Sequence, residues 1–321
     1  MHSFEALSAA FATRFANRHF PEQPSTLYGP AEYFLGLGGK RIRPVLCLMG
    51  NELFAPIEAD AWEMADALEL FHNFTLIHDD IMDKAPLRRG KPTVHARYGQ
   101  STAILSGDVM MVVSYEHIAR LKSPHIRRIL QLFNQTAMKV CEGQQLDMDF
   151  ESRERVTMDE YLHMIELKTS VLLASSLQIG GILGGAGLGN QDILYAFGRN
   201  LGLAFQVQDD YLDCYGEAEK VGKQIGGDIV AGKKTFLLIK TLELASSAQL
   251  KEIRELAQAP AEEKVAGMLS IFRACGVDVW ARELKAHYHD AACRNLEDIA
   301  VLSARKEPLR ALVDFLLQRE Y

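Results

Sequence analysis

The chain has 321 residues, of which 48% are apolar and 24% charged. These are ordinary proportions for a folded protein, and they exclude wholesale disorder, collagen-like repeats and a disulfide-dense scaffold. Thirty-five basic against forty-two acidic side chains leave a net charge of −7, so no nucleic-acid partner is expected and any phosphate binding must be local.

The first residues, MHSFEALSAAFATRF, carry Glu5 and no apolar core, so neither a secretory signal nor a lipid anchor is expected. The five cysteines, Cys47, Cys141, Cys214, Cys275 and Cys293, are odd in number, scattered and without a CxxC pair, which fits a reducing, cytoplasmic setting. Apolar residues recur at helical spacing, as in Ala61, Met64, Ala65 and Leu68, and no β-branched alternation is sustained. All ten prolines lie at or before Pro124 or at or after Pro260, leaving residues 125–259 free for long helices. The pattern predicts an all-α chain with helices over 3–19, 41–54, 58–83, 101–122, 126–150, 158–187, 191–215, 229–246, 261–274, 278–298 and 305–319. Residues 169–191 carry no charge and are long enough to span a bilayer. Six glycines, Ser175, Ser176, Gln178 and Asn190 make that stretch too weakly hydrophobic, so it reads as a buried helix running into a loop, with no stable membrane insertion. No Pro/Ser-rich linker and no fixed-period repeat divides the chain, so one domain over residues 1–321 is expected.

Two segments carry chemistry: His78-Asp79-Asp80-Ile81-Met82-Asp83 and Gln208-Asp209-Asp210-Tyr211-Leu212-Asp213. Each is a DDxxD. On a helix, residues four apart return to nearly the same face, so Asp79 projects with Asp83 and Asp209 with Asp213. Clustered carboxylates repel, and a helix C-terminus disfavours them further unless a cation is present. Magnesium fits, because hard divalent ions take carboxylate oxygens and bridge them to phosphates. Basic residues surround both motifs in sequence: Gly38-Gly39-Lys40-Arg41-Ile42-Arg43-Pro44, Arg88-Arg89-Gly90, Lys168-Thr169, Lys223 and Lys233-Lys234. The first cluster reads as an anion clamp at a helix start. An HxH at His287 and His289 lies in a charged helix and reads as surface.

These blocks, GGKRIRP, LIHDDIMD, LRRGKPTVH, GQQLD, LKTS, FQVQDDYLD and VGKQIGGDIVAGKKT, occur between about Gly38 and Thr235. In order and content they resemble the trans-type isoprenyl diphosphate synthases, the polyprenyl synthetase family. The resemblance implies an isoprenoid synthase fold, a single large helical bundle around a central apolar cavity. It implies a prenyltransferase that condenses isopentenyl diphosphate with an allylic diphosphate and releases diphosphate, with about three Mg²⁺ ions per active site. Lys40, Arg43, His72 and Arg89 would hold isopentenyl diphosphate; His72 lies seven residues before Asp79, nearly on its face. Arg88, Lys168, Thr169, Gln206, Lys223 and Lys233 would surround the allylic substrate, bound through metal to Asp79, Asp83 and Asp209. Asp80, Asp210 and Asp213 are expected as further metal ligands or as partners behind them, and Gln144 and Asp147 match the family's GQxxD.

Chain length in this family depends partly on the fifth residue before the first motif, here Phe74, followed by Thr75. A large ring there resembles short-chain enzymes, so a fifteen- or twenty-carbon product is expected, with twenty favoured. Periodicity alone does not place Phe74 there, since five residues is about 140° around a helix from Asp79. The resemblance also implies a homodimer. Two rivals stand beside this reading. A class I terpene cyclase normally mixes Asn, Ser/Thr and Glu in its second motif and handles one diphosphate; a non-catalytic partner subunit generally lacks one of the motifs.

Overall fold

Apolar residues spaced at three and four give each segment one face to bury, and the chain answers with helix after helix. The structure, a computed structural model, describes residues 1–216 and 225–317. In chain order its helices are α1 (Phe4–Phe15), α2 (Ser25–Leu35), α3 (Ile42–Glu52), α4 (Ala59–Met82), α5 (Val94–Tyr98), α6 (Gln100–Ala119), α7 (Ile126–Ser152), α8 (Met158–Ile165), α9 (Val171–Leu183) and α10 (Leu188–Tyr215). They continue with α11 (Gly227–Ala231), α12 (Phe236–Leu244), α13 (Ser247–Leu256), α14 (Ala261–Ala274), α15 (Val277–Asp298) and α16 (Ser303–Leu317). One turn of π-helix, Glu166–Ser170, joins α8 to α9. Among the described residues the only sheet is a hairpin of β1 (Leu87–Arg88) and β2 (Lys91–Pro92). The fold class is the all-α class the sequence predicts, and no described helix is long and apolar enough to cross a membrane.

The differences from the predicted helices have local causes. Helix α2 forms although Pro24 precedes it and Pro30 lies inside it, where the ring removes one backbone donor. The predicted helix 158–187 contains the π turn and ends at Leu183. The predicted helix 229–246 is broken where Gly232 takes a φ of 70°, so that Lys233 and Lys234 lie in a loop before α12. The neighbouring α13 lies outside the predicted helices; its start is a capping box in which Ser246 accepts from the Gln249 N–H and the Gln249 side chain accepts from the Ser246 N–H. The short α5 and the hairpin also lie outside them.

Two compact units emerge. The first comprises Met1–Gln135, Leu173–Tyr195 and Glu297–Leu309. At its heart is α4, which lies against α3 and α6 and has no proline or glycine along its length. It is buried along most of its length, and its buried polar residues have partners: Asp66 accepts from Arg14, and Glu69 from Arg41 and from Asn73, while Asp66 Oδ1 and Asn73 Oδ1 are buried without a hydrogen bond. The second unit comprises Thr136–Leu172, Ala196–Leu296 and Arg310–Tyr321. Its apolar core gathers Phe150, Tyr161, Met164, Leu203, Val207, Phe236, Phe272 and Val277.

The glycine-rich stretch of α9 is a contact surface, as its composition suggests. A Cβ on Gly180 would stand 2.0 Å from the Cys47 carbonyl oxygen of α3, and one on Gly50 would stand 2.4 Å from the Leu177 carbonyl oxygen. Backbone meets backbone there, and neither side can give way cheaply. Gly180→Ala is therefore expected to lower the unfolding free energy by about 1–3 kcal/mol in urea denaturation. Gly189→Ala, which meets nothing within 4 Å, should be neutral or stabilising by up to about 1 kcal/mol; equal effects at the two sites would contradict the close packing.

Candidate active site

The first acidic motif ends α4. Asp83 caps the helix and its N–H still donates to the Asp79 carbonyl at 2.8 Å, so Asp79 and Asp83 stand one turn apart on one face. Asp83 is exposed and Asp79 half-buried. Asp80 points elsewhere: it is 1% exposed, and its two oxygens accept from Arg88 Nε at 2.9 Å each, with Arg88 Nη2 at 2.7 Å from Oδ1. Burial raises the Asp80 pKa and the Arg88 guanidinium opposes the rise.

Arg88 is presented by the hairpin, whose two-residue connection is Arg89-Gly90. Both residues have positive φ, 52° and 72°, the geometry that matches the twist of the paired strands and that glycine adopts without strain. Arg89 adopts it as a non-glycine residue, and its Nη1 donates to the Gly38 carbonyl, tying the hairpin turn to the glycine-rich loop before α3. In that loop Lys40 is exposed. Arg41 turns inward to the buried Glu69 carboxylate, the Leu35 carbonyl and the face of Phe15. Arg43 Nη1 donates to His72 Nε2 at 3.0 Å, which leaves the imidazole proton on Nδ1. Burial lowers the His72 pKa well below its ordinary value, and the charges of Arg43, Arg89, Arg88 and Arg41 lower it further. A neutral His72 thus sits among guanidiniums, adding a donor without adding charge. Burial also pushes Arg43 down to about 10, against the pull of Glu69 and Asp79; it stays charged at neutral pH, and its Nε is buried without a hydrogen-bond partner. The structure therefore brings Arg43, His72 and Arg89 to one locality, with Lys40 on the same loop.

Phe74 is buried at 9% exposure, its ring edge-to-face with Phe71 at 5.4 Å and His78 at 4.9 Å. Thr75 spends its hydroxyl on the His72 carbonyl at 2.8 Å.

The second acidic motif lies on α10. Asp209 is exposed, whereas Asp210 is 6% exposed. Asp210 accepts from the Tyr161 hydroxyl at 2.6 Å and from Gln206 Nε2 at 2.8 Å; Gln206 Oε1 in turn accepts from the Thr169 hydroxyl at 3.1 Å. Burial raises the Asp210 pKa strongly and the Asp228 charge adds to the rise, while the two hydrogen bonds oppose it. Asp213 accepts the Asp228 N–H at 3.0 Å, so this carboxylate anchors the start of α11. Asp209, Asp210, Asp228, Lys168, Lys233 and Asp147 line one pocket of about 220 Å³ together with Thr169 and Gln206. Asp147 takes Lys168 Nζ at 2.5 Å and lies 3.8 Å from Lys233 Nζ. Gln144 is 8% exposed and neither amide atom has a hydrogen-bond partner, a buried orphan of the kind that a ligand or water satisfies. Lys223 lies outside the described residues.

Lys168 and Thr169 sit in the π turn, a distortion frequent at functional sites. It is held from both sides: a Cβ on Gly143 would stand 2.3 Å from the Lys168 nitrogen, and one on Gly202 would stand 2.6 Å from Ser170 Cα. Tyr161, Asp228 and Glu69 are not singled out by the sequence. A capping box at Thr157 and Glu160 starts α8 and is readable as T-x-x-E, but nothing local says that Tyr161 meets Asp210, 49 residues away.

Elsewhere, Glu63, Asp66 and His117 place ligand-type atoms within 4.8 Å of one another. Arg14 already bonds both carboxylates, Glu63 at 2.7 Å and Asp66 at 2.8 Å, and His117 lies 2.8 Å from Glu63. That cluster has its cation. Asp79 and Asp83, one turn apart on α4, and Asp209, on α10, each leave carboxylate oxygens of the hard kind that divalent ions take.

The sequence matches the Polyprenyl synthetase family over residues 24–274. It is 39% identical to the short chain isoprenyl diphosphate synthase of Methanothermobacter thermautotrophicus, with 93% of this chain and 92% of that protein covered. It is 36% identical to the geranylgeranyl diphosphate synthase of Methanosarcina mazei over 93% and 91%. Among solved structures, a geranylgeranyl pyrophosphate synthase superposes with a TM-score of 0.94 at 39% identity over 100% of both chains.

Tyr161→Phe removes a hydrogen bond to a buried carboxyl and is expected to cost about 1.5–3 kcal/mol. Because the folded Asp210 pKa lies above its unfolded value, the stability this group contributes is fully present below the unfolded value. It is lost as pH rises through the folded one. The phenylalanine variant raises the folded value further, so its deficit should widen from acid to neutral pH in metal-free urea denaturation; a pH-independent deficit would contradict this.

Proposed function

We propose, from the premise that the chain belongs to the polyprenyl synthetase family, that it condenses isopentenyl diphosphate with an allylic diphosphate to a short all-trans prenyl diphosphate, twenty carbons favoured over fifteen. The observation that carries this reading is the guanidinium cluster of Arg43 and Arg89 around neutral His72, in a chain that also carries two motifs suited to metal. An enzyme acting on one diphosphate has no use for that second anion site. Residues 1–321 are read as one catalytic domain. The absence of a disulfide among the described cysteines fits the cytoplasm, and a homodimer fits the apolar side chains that α6 leaves exposed, Ile104, Leu105 and Val112.

Lys40, Arg43, His72 and Arg89 hold the diphosphate of isopentenyl diphosphate by charge and hydrogen bonds. Asp79, Asp83 and Asp209 would hold about three Mg²⁺ ions, and with them the allylic diphosphate. When bound, that metal supplies Lewis-acid stabilisation of the charge on the departing diphosphate. Arg88, Lys168, Lys223 and Lys233 add fixed positive charge around the same leaving group. The allylic C–O bond breaks with its electron pair on the diphosphate. The Thr169 and Gln206 oxygens steady the allylic cation until the double bond of isopentenyl diphosphate attacks, and the proton lost from the new bond passes to the released diphosphate. Asp80, Asp210 and Asp213 are assigned the supporting role: Asp80 braces Arg88, Asp210 orients Gln206, and Asp213 holds the Asp228 segment. Gln144 and Asp147 act behind them, Asp147 by placing Lys168. Phe74 and Thr75 set how far the product extends.

Purified protein incubated with Mg²⁺, isopentenyl diphosphate and five-, ten- or fifteen-carbon allylic primers should yield prenyl diphosphates ending at fifteen or twenty carbons. Asp209→Asn should lower kcat/KM by about 100-fold or more, and Phe74→Ala should lengthen the product. Cyclised hydrocarbon without consumption of isopentenyl diphosphate would overturn the reading, as would an inert but folded protein.

A further inference from the structure

The residue that precedes the first acidic motif has no assigned task, yet its surroundings are unusually specific. His78 lies one turn beyond Phe74 on α4, and the two rings meet edge-to-face at 4.9 Å and 76°. On its other side the imidazole enters α6. Its Nε2 is 3.1 Å from the Ile104 carbonyl and 3.7 Å from Asp108 Oδ1, so the carbonyl contact requires the proton on Nε2. The ring fits because α6 carries Gly107 there: a Cβ at that position would stand 2.3 Å from Nε2 and 2.5 Å from Cδ2. Glycine in the middle of a helix costs about 1 kcal/mol relative to alanine, and here it opens the notch that receives the imidazole. One turn earlier on α4, Phe71 meets Phe74 edge-to-face at 5.4 Å and is itself backed by Phe133 at 5.0 Å. Phe74 thus lies between two rings of its own helix, Phe71 and His78, and His78 is pinned to the backbone of α6.

We propose that His78 is a specificity-determining positioning residue: seated in the Gly107 notch and bonded to the Ile104 carbonyl, it fixes the Phe74 ring and so the length at which the growing prenyl chain stops. The inference rests on the reading that Phe74 forms the floor for the chain. It follows from side-chain mechanics. An aromatic ring without neighbours can turn about its first two torsions and yield to a longer chain; a ring held edge-to-face by two others cannot without breaking a contact. His78 is also joined directly to Asp79, so the stop and the diphosphate anchor are fixed to the same turn of helix.

The test compares His78→Ala, Gly107→Ala and Phe74→Ala with the unaltered protein, using Mg²⁺, isopentenyl diphosphate and one allylic primer, and reads the ratio of longer to shorter product beside the melting temperature. His78→Ala frees the ring, and Gly107→Ala expels the imidazole without altering residue 78. Each is expected to raise the ratio about tenfold, in the same direction as Phe74→Ala, without a matching fall in melting temperature. A ratio unchanged in both His78→Ala and Gly107→Ala, while Phe74→Ala lengthens the product, overturns the role of His78 and leaves the floor intact. A ratio unchanged in Phe74→Ala removes the floor and the inference with it. If the variants are inactive, the crystal structure of Gly107→Ala decides: Phe74 turned from its wild-type rotamer supports the clamp, and Phe74 unmoved overturns it.

Discussion

Carboxylates crowded on one helical turn repel, and each acidic motif of this protein resolves the repulsion by dividing its aspartates between two environments. In the first motif Asp80 is buried against Arg88, while Asp79 and Asp83 keep a face toward solvent. In the second, Asp210 is buried under the Tyr161 hydroxyl and the Gln206 amide, while Asp209 is exposed. The second aspartate of each DD pair is the buried one. A buried carboxylate that loses its partner is costly, so these contacts fix the second aspartates while the first ones keep access to solvent. The outward-facing carboxylates are hard oxygens of the kind that divalent ions take.

The surrounding backbone is shaped to serve this division. Among the described residues, three non-glycine residues have positive φ: Arg41, Lys84 and Arg89. All are cations: Lys84 follows the first motif directly, Arg89 shares the hairpin with the Arg88 that bonds Asp80, and Arg41 is tied to Glu69 on the same helix as that motif. Such conformations cost of order 1 kcal/mol or more and persist where neighbouring contacts over-determine them. Arg41 has its buried Glu69, and Arg89 has its place in a hairpin turn and the Gly38 carbonyl. In the second unit the π turn that carries Lys168 and Thr169 is held by two helices whose glycines leave no room for a side chain. Irregular backbone aims the polar groups, and regular helices supply the rigidity behind it.

Much of this architecture is legible in the amino-acid sequence. Helical spacing and the placement of prolines indicate an all-α chain, and two DDxxD motifs flanked by basic blocks point to metal-dependent diphosphate chemistry. The features that sequence does not reveal depend on contacts between residues far apart in the chain, or on local geometry that overrides propensity. Pro30 argues against a helix, yet α2 tolerates it. Arg41 and Arg43 are indistinguishable as letters, but the first is consumed by Glu69 and the second is paired with His72. Asp213 shares a helix face with Asp209 by spacing and nevertheless turns its carboxylate to the Asp228 N–H. Ser246 and Gln249 form a capping box readable in the sequence itself, so α13 becomes visible once caps are weighed as heavily as periodicity.

The division of labour within the acidic motifs can be tested by locating the metal directly. Crystals grown with Mn²⁺ and a non-hydrolysable allylic diphosphate analogue would reveal each ion by its anomalous signal. The expected result is metal about 2.1 Å from carboxylate oxygens of Asp79, Asp83 and Asp209, with Asp80 still on Arg88 and Asp210 still beneath Tyr161. An ion bound directly by Asp80 or Asp210 would contradict it.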